Sequence, residues 1–258
     1  FWAEMFQLRF GYSKTVVRPD LREITDASYV DARTGYVTDG NPGVIPSELS
    51  NYDLRGEWFF DSGDNLTLSL FYKDIKNPIE FFEVAASDTN RAREILNAES
   101  GFVGGMEIEG LKSLEFLGGI GDAFFLQGNM TIQDSEITAG PLADAPTNSV
   151  RKLAGASDYV VNLLLGFDSY DGKHAATLVY NIFGERLYSA GRGGSPDLFE
   201  QPFNSLDVTY SWYATDSMTL KLKVQNLLNQ EVTINQDAIE VFREKPGINL
   251  SMSFAWAL

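Results

Sequence analysis

The chain has 258 residues, with 20 Lys+Arg against 36 Asp+Glu, a formal net charge of -16, one histidine and no cysteine. That length suits one large domain or two small ones, the negative charge argues against nucleic-acid binding, and the missing cysteines exclude disulfides and thiolate metal sites. Aromatic content of 13% with 23 glycines points to a β-rich chain, and no window reaches the roughly 18 consecutive apolar residues of a membrane-spanning helix.

Period-2 alternation dominates the chain from its start. Short or weak runs at 6–13, 52–60, 66–73 and 102–112 are predicted as strands. Between the last two, residues 88–96 carry an N-cap type aspartate ahead of alanine, glutamate and leucine, which predicts a short loop helix. In the run 124–133, Phe124, Leu126, Met130 and Ile132 oppose Gln127, Asn129, Thr131 and Gln133. Tyr159, Val161, Leu163, Leu165 and Phe167 mark the next strand, and Ala176, Leu178 and Tyr180 the one after it. Leu206, Val208, Tyr210 and Trp212 then oppose Ser205, Asp207, Thr209 and Ser211; Met218, Leu220, Leu222 and Val224 oppose Thr219, Lys221, Lys223 and Gln225. The last run sets Leu250, Met252, Phe254 and Trp256 against Asn249, Ser251 and Ser253, for about ten strands in all.

The links alternate in length. Those near 61–64, 116–122, 168–172 and 215–217 are short, whereas 15–50, 77–100, 134–156, 184–204 and 229–246 are long. Loops this long are uncommon in compact soluble domains, while an outer-membrane barrel has short periplasmic turns on one rim and long extracellular loops on the other. Aromatics near strand ends, among them Tyr52, Trp58, Tyr72 and Trp212, suit its interfacial girdles or, alternatively, the core of a sandwich. The expected fold is therefore all-β: an antiparallel transmembrane β-barrel segment. The absence of an initiating Met, basic n-region and apolar h-region suggests a processed chain or part of a longer one.

Several segments resemble, in order, the C-terminal barrel half of TonB-dependent outer-membrane receptors. They are Tyr12-Ser-Lys-Thr-Val-Val-Arg-Pro-Asp-Leu-Arg22, Asp39-Gly-Asn-Pro42, Asn51-Tyr-Asp-Leu-Arg-Gly-Glu-Trp-Phe-Phe60, Leu70-Phe-Tyr-Lys-Asp-Ile-Lys-Asn-Pro-Ile-Glu80, Gly105-Met-Glu-Ile-Glu-Gly110 and Val224-Gln-Asn-Leu-Leu-Asn229. The resemblance implies that residues 1–258 supply about ten strands of a 22-stranded barrel, with the plug domain and N-terminal strands lying outside this chain. It further implies a cell outer-membrane location and TonB-energised uptake of a scarce ligand, such as a metal chelate, cobalamin or oligosaccharide. The implied partners are outer-membrane lipid, the plug, the TonB complex and that small-molecule or oligosaccharide ligand. Such barrels often end in an aromatic residue; here Trp256 holds the corresponding face two residues before the end. A soluble β-sandwich binding protein, or an outer-membrane pore or enzyme, is the alternative.

Asp53, Arg55 and Glu57 form one polar row and Glu107 and Glu109 another, all expected to face the lumen and the plug. Lys221 and Lys223 share that orientation. Glu107 and Glu109 have the spacing of paired catalytic acids, about 7 Å along a strand, but no nucleophile or ligating histidine accompanies them. No catalytic residue, metal site or cofactor is assigned, and His174 reads as ordinary surface at the short-turn rim. Gly118 to Gly121 and Arg192 to Gly194 lack phosphate-loop spacing and read as turns. For ligand contact the long loops offer Tyr29, Tyr36, Phe81, Phe82, Arg186, Tyr188, Arg192 and Phe199, which combine aromatic surface with a few cations. The acidic balance disfavours a strongly anionic chelate unless Arg186 and Arg192 reverse the field locally.

Overall fold

A computed structural model describes residues 5–32, 35–60, 63–85 and 92–256. Its elements, in chain order, are β1 (Phe6–Val17), a one-turn helix α1 (Leu21–Ile24), β2 (Ser28–Val30), β3 (Val37–Asp39), β4 (Ser47–Phe59), β5 (Asn65–Lys76), β6 (Ile79–Val84), β7 (Ala92–Asn97), β8 (Ser100–Ser113), β9 (Phe124–Thr138), β10 (Val150–Arg151), β11 (Tyr159–Asp168), β12 (His174–Phe183), β13 (Arg186–Ser189), β14 (Leu198–Glu200), β15 (Phe203–Thr215), β16 (Met218–Gln225), β17 (Val232–Gln236), β18 (Ile239–Glu244) and β19 (Asn249–Trp256). Ten of these hydrogen-bond as one antiparallel wall in the order β1-β4-β5-β8-β9-β11-β12-β15-β16-β19, and β10 adds a short ribbon on β9. These are the ten predicted strands. Most extend a few residues past the alternating run at the long-loop end.

The register carries one face across the whole wall. Trp58 pairs Leu66, Leu70 pairs Met106, Met106 pairs Ile132, and Met130 pairs Val161. Further along, Leu165 pairs Leu178, Tyr210 pairs Leu222, and Leu222 pairs Met252. Because side chains alternate strictly, one aligned pair per strand fixes the facing of the rest. Many of these apolar side chains are open even on strands paired along both edges: Leu70 is 47% exposed, Ile132 46% and Leu163 43%. A water-soluble monomer rarely exposes so large a contiguous apolar area. The strands bearing Leu206, Leu220 and Leu250 make their principal contacts with wall neighbours, and no loop sheet is stacked across that face among the described residues.

The buried core lies elsewhere. Ile95, Leu187, Leu198 and Ile234, each 1% or 2% exposed, belong to short strands within the long connections, and Ile137 is buried at the loop end of β9. These connections fold into two further four-stranded sheets, β2-β3-β7-β6 and β13-β14-β17-β18. The expected helix at 88–96 is corrected here. Residues 92–97 form β7, paired antiparallel with β6 and parallel with β3; residues 88–91 lie outside the described residues. Helix propensity is a weak prior, and two flanking strands override it. α1, which the alternation did not suggest, is opened by a capping box in which the Asp20 side chain accepts from Glu23 N–H and the Glu23 side chain accepts from Asp20 N–H, with Leu21 N–H donating to Asp20 as well.

The short links are tight. In 169–173, Ser169 Oγ donates to Asp171 Oδ1 at 2.6 Å, and Asp171 accepts from Lys173 N–H at 3.0 Å, closing the turn between β11 and β12. Gly118 and Gly119 have φ of 65° and 59°, which only glycine adopts without strain, so that stretch is a turn rather than a phosphate cradle.

Candidate functional site

Two groups of side chains are positioned by this framework, one on the polar face of the wall and one among the loop sheets. On the polar face, Asp53, Arg55 and Glu57 project from β4 and Glu107 and Glu109 from β8, all on the side opposite Leu54, Met106 and Ile108. They divide into two sets. Arg55 Nη2 meets Glu109 Oε2 at 3.1 Å, Arg55 Nε meets Glu57 Oε1 at 3.1 Å, and Arg9 Nη2 from β1 meets Glu57 Oε2 at 3.1 Å. Arg55 also donates to Ser69 Oγ at 3.3 Å. This row therefore neutralises itself across four strands. Asp53 and Glu107 stand apart: among the described residues neither side chain has a hydrogen-bond or ion-pair partner. Both line a cavity of about 720 Å³ together with Lys73, Phe71 and Thr131.

Among the loops, Tyr36, Phe81 and Tyr188 come together around two residues that the alternation gave no reason to select, Arg93 and Glu83. The Arg93 guanidinium lies 4.2 Å from the Phe81 ring centroid and 5.2 Å from that of Tyr36, and its Nε donates to Thr38 Oγ1 at 2.8 Å. Tyr36 donates its hydroxyl to Glu83 Oε1 at 3.0 Å, and Tyr188 approaches the Tyr36 ring edge-on at 6.4 Å. Arg93 lies within the segment read as helix, so only the observed strand aims it at the aromatic pair.

The remaining loop candidates disperse. Tyr36 and Phe82 are buried, at 5% and 3% exposure, and Phe82 packs with Leu96, Ala98 and Ile137. Tyr29 lies under Arg22 at 5.9 Å. Arg186 donates to Glu200 at 2.8 Å and Arg192 to Asp144 at 3.0 Å, so neither arginine reverses the local field. Phe199 pairs with Leu187 across β13 and β14.

Buried charge ties the loops down. Arg151 Nη1 reaches Glu80 Oε2 at 3.1 Å with both side chains nearly inaccessible, and the Arg151 guanidinium sits 5.2 Å from the Phe82 ring. Burial pushes the Glu80 carboxyl above its ordinary value, with Arg151 pulling against that shift. Lys152 bridges Asp134 at 2.5 Å and Asp158 at 2.9 Å, and the hydrogen bond to Asp134 holds its ammonium above the usual lysine value. His174 Nδ1 lies 2.7 Å from the Tyr210 hydroxyl on the apolar face at the short-turn end. Among the described residues no group of three or more His, Asp or Glu is placed to hold a metal.

The wall and its crowned loops match solved receptors. The chain covers 98% of its own length and 38% of a ferric enterobactin receptor from Pseudomonas aeruginosa, at 17% identity and a TM-score of 0.65. The siderophore receptor PirA from Acinetobacter baumannii matches at 14% identity and 0.64, over 98% of this chain and 39% of that one. For the ferric-catecholate import receptor Fiu from E. coli the values are 17%, 0.64, 98% and 33%. The chain thus spans well under half of each. No curated protein matches it. The family model for TonB dependent receptor-like beta-barrels matches residues 2–227. With its meander, its outward apolar face and its alternating links all in agreement with that match, the chain belongs to the TonB-dependent receptor-like β-barrel family.

Proposed function

We propose that the chain forms part of the wall and ligand vestibule of an outer-membrane receptor that imports a metal chelate with energy delivered through TonB. The supporting observation is the family match over 2–227, joined to similar structures that are named as siderophore receptors. On this reading the wall does no covalent chemistry. Its outward face meets lipid, its inward charges meet water and the plug, and its loops shape the entrance. Asp53 and Glu107, which lack partners of their own, are assigned to plug docking ahead of Arg55, Glu57 and Glu109, which already satisfy one another.

The electrostatics narrow the ligand. The chain carries a net charge of -16, and Arg186 and Arg192 are each spent on a carboxylate, so the loops favour a chelate of low net charge. Phe81 and Tyr188, half-buried beside Arg93, and Tyr29 are the proposed contact surface. The test is uptake of radiolabelled iron by cells that depend on the full-length protein, offered as a neutral trihydroxamate chelate or an anionic triscatecholate. Faster uptake of the neutral chelate, abolished by loss of TonB, is expected. Accumulation that persists without TonB overturns the receptor reading, and preference for the anionic chelate overturns the ligand class.

A further inference from the structure

Four glycines of the wall face outward among the described residues: Gly56, Gly104, Gly110 and Gly128. Three of them have a side chain at or inside 3.3 Å of the place that a Cβ would take. A Cβ at Gly56 would lie 3.3 Å from the Phe6 ring, at Gly104 3.0 Å from the Tyr72 ring, and at Gly128 2.7 Å from Leu163. Gly110 differs. Its nearest atoms would be the Asn65 carbonyl oxygen at 3.4 Å and Leu66 Cδ1 at 3.8 Å, and its φ is not positive. Glycine weakens a strand interior and there often marks close approach by another group, so an uncrowded one calls for an occupant.

Gly110 and Gly128 are cross-strand partners, and beside the uncrowded Gly110 lies a groove of about 700 Å³ between Leu66, Ile108, Leu126, Met130 and Leu163. Two residues beyond Gly110, toward the short-turn end, Lys112 closes the groove. Its ammonium pairs with Asp64, which is only 5% exposed and also accepts from Ser113 N–H at 2.7 Å. Lys112 is paired as Arg186 and Arg192 are, but its side chain is 52% exposed against 32% and 30% for theirs, and two of its three donors remain after the Asp64 contact. The adjoining turn presents Phe116, Leu117 and Ile120 at 67%, 66% and 76% exposure, with Lys112 Nζ 5.6 Å from the Phe116 ring. An apolar slot ending in a cation, beside a turn tipped with apolar side chains, is complementary to an acyl chain ending in a phosphodiester.

We propose that this groove is a binding site for a glycerophospholipid of the leaflet on the short-turn side, with one acyl chain laid across Gly110 and the headgroup phosphate on Lys112. The inference rests on the membrane-spanning reading above. The full-length protein would be extracted in mild detergent, washed extensively and examined by native mass spectrometry beside Gly110→Leu, which fills the slot, and Lys112→Gln, which removes the cation. One retained glycerophospholipid is expected in the wild type, with occupancy falling to about a tenth in each variant, a factor typical of one lost contact. Thermal melts of the three proteins identify any variant that does not fold, in which case Lys112→Gln alone decides. No retained lipid, equal retention in a folded variant, or retention of a lipopolysaccharide instead overturns the site. Solubility of the full-length protein without detergent would instead overturn the membrane reading itself.

Discussion

On the inner face, two aromatic rings lie over cross-strand glycines, and the surroundings of each glycine differ in a way that single substitutions can read. Gly166 pairs with Phe125, and the three atoms nearest to a Cβ there, at 2.1 to 2.7 Å, all belong to the Phe125 ring. Gly105 pairs with Phe71, but the closest atom to its Cβ would be the Ile132 carbonyl oxygen at 2.4 Å, with the Phe71 ring at 2.8 Å. Overpacking costs about 1–3 kcal/mol when neighbours must shift. Gly166→Ala is expected to lower stability by that amount in denaturant melts of the detergent-solubilised protein, and Phe125→Leu should restore most of it because only a side chain obstructs. Gly105→Ala should stay destabilised whatever replaces Phe71, since the backbone of β9 does not move aside. Equal rescue at both positions would show that the rings, not the strand spacing, dictate both glycines.

At the scale of elements, the loops are joined rather than independent. β3 and β7 bring the connections 18–46 and 77–99 into one sheet by parallel pairing, and the Glu80–Arg151 pair fastens β6 to β10. Among the described residues Arg151 Nε and Nη2 find no hydrogen-bond partner, so the pair is imperfectly satisfied, and removing one member should cost more than removing both. Arg151→Met, which strands the buried Glu80 carboxylate, should weaken the protection of β6 amides from hydrogen exchange by about 3–5 kcal/mol at neutral pH, while Arg151→Met with Glu80→Gln should recover much of it. The pH response follows from the raised Glu80 value. An acid held higher in the folded state adds stability that is complete below its ordinary 4.5 and is lost as pH rises through the folded value. Acidification should therefore tighten β6 in the wild type and leave Glu80→Gln unchanged in that window.

These loop contacts also mark where sequence reasoning stops. Wall strands such as β16 and β19 were legible because a sheet with one apolar and one polar face imposes a strict alternation on adjacent residues. β7 was not, since Ala, Arg, Glu and Leu favour a helix locally and only pairing with β6 and with distant β3 makes the segment extended. Arg93 and Glu83 went unselected for the same reason. Their meaning comes from Tyr36 and Tyr188, which stand far away in the chain. That these polar rows share one face was legible, yet the partition of Arg55, Glu57 and Glu109 from Asp53 and Glu107 depends on side-chain reach, which period-2 spacing does not encode.

For the whole molecule, the decisive quantity is the solvent that the outward face meets. Leu70 sits mid-strand on β5, outward between Leu54 and Met106, at 47% exposure. Thr131 sits mid-strand on β9, inward, opposite Glu107. If water wetted both faces, arginine at either position would be a surface change within about 0.5 kcal/mol. With hydrocarbon outside, Leu70→Arg should cost about 2–4 kcal/mol near the midplane, while Thr131→Arg gains a counter-charge in Glu107 and stays close to neutral. Reversible unfolding of the full-length protein into urea from phosphocholine bilayers measures both. Matching costs for the two variants would mean that the apolar side of the wall does not touch lipid, whereas a penalty confined to Leu70→Arg assigns hydrocarbon to that side and water to the side bearing Asp53 and Glu107.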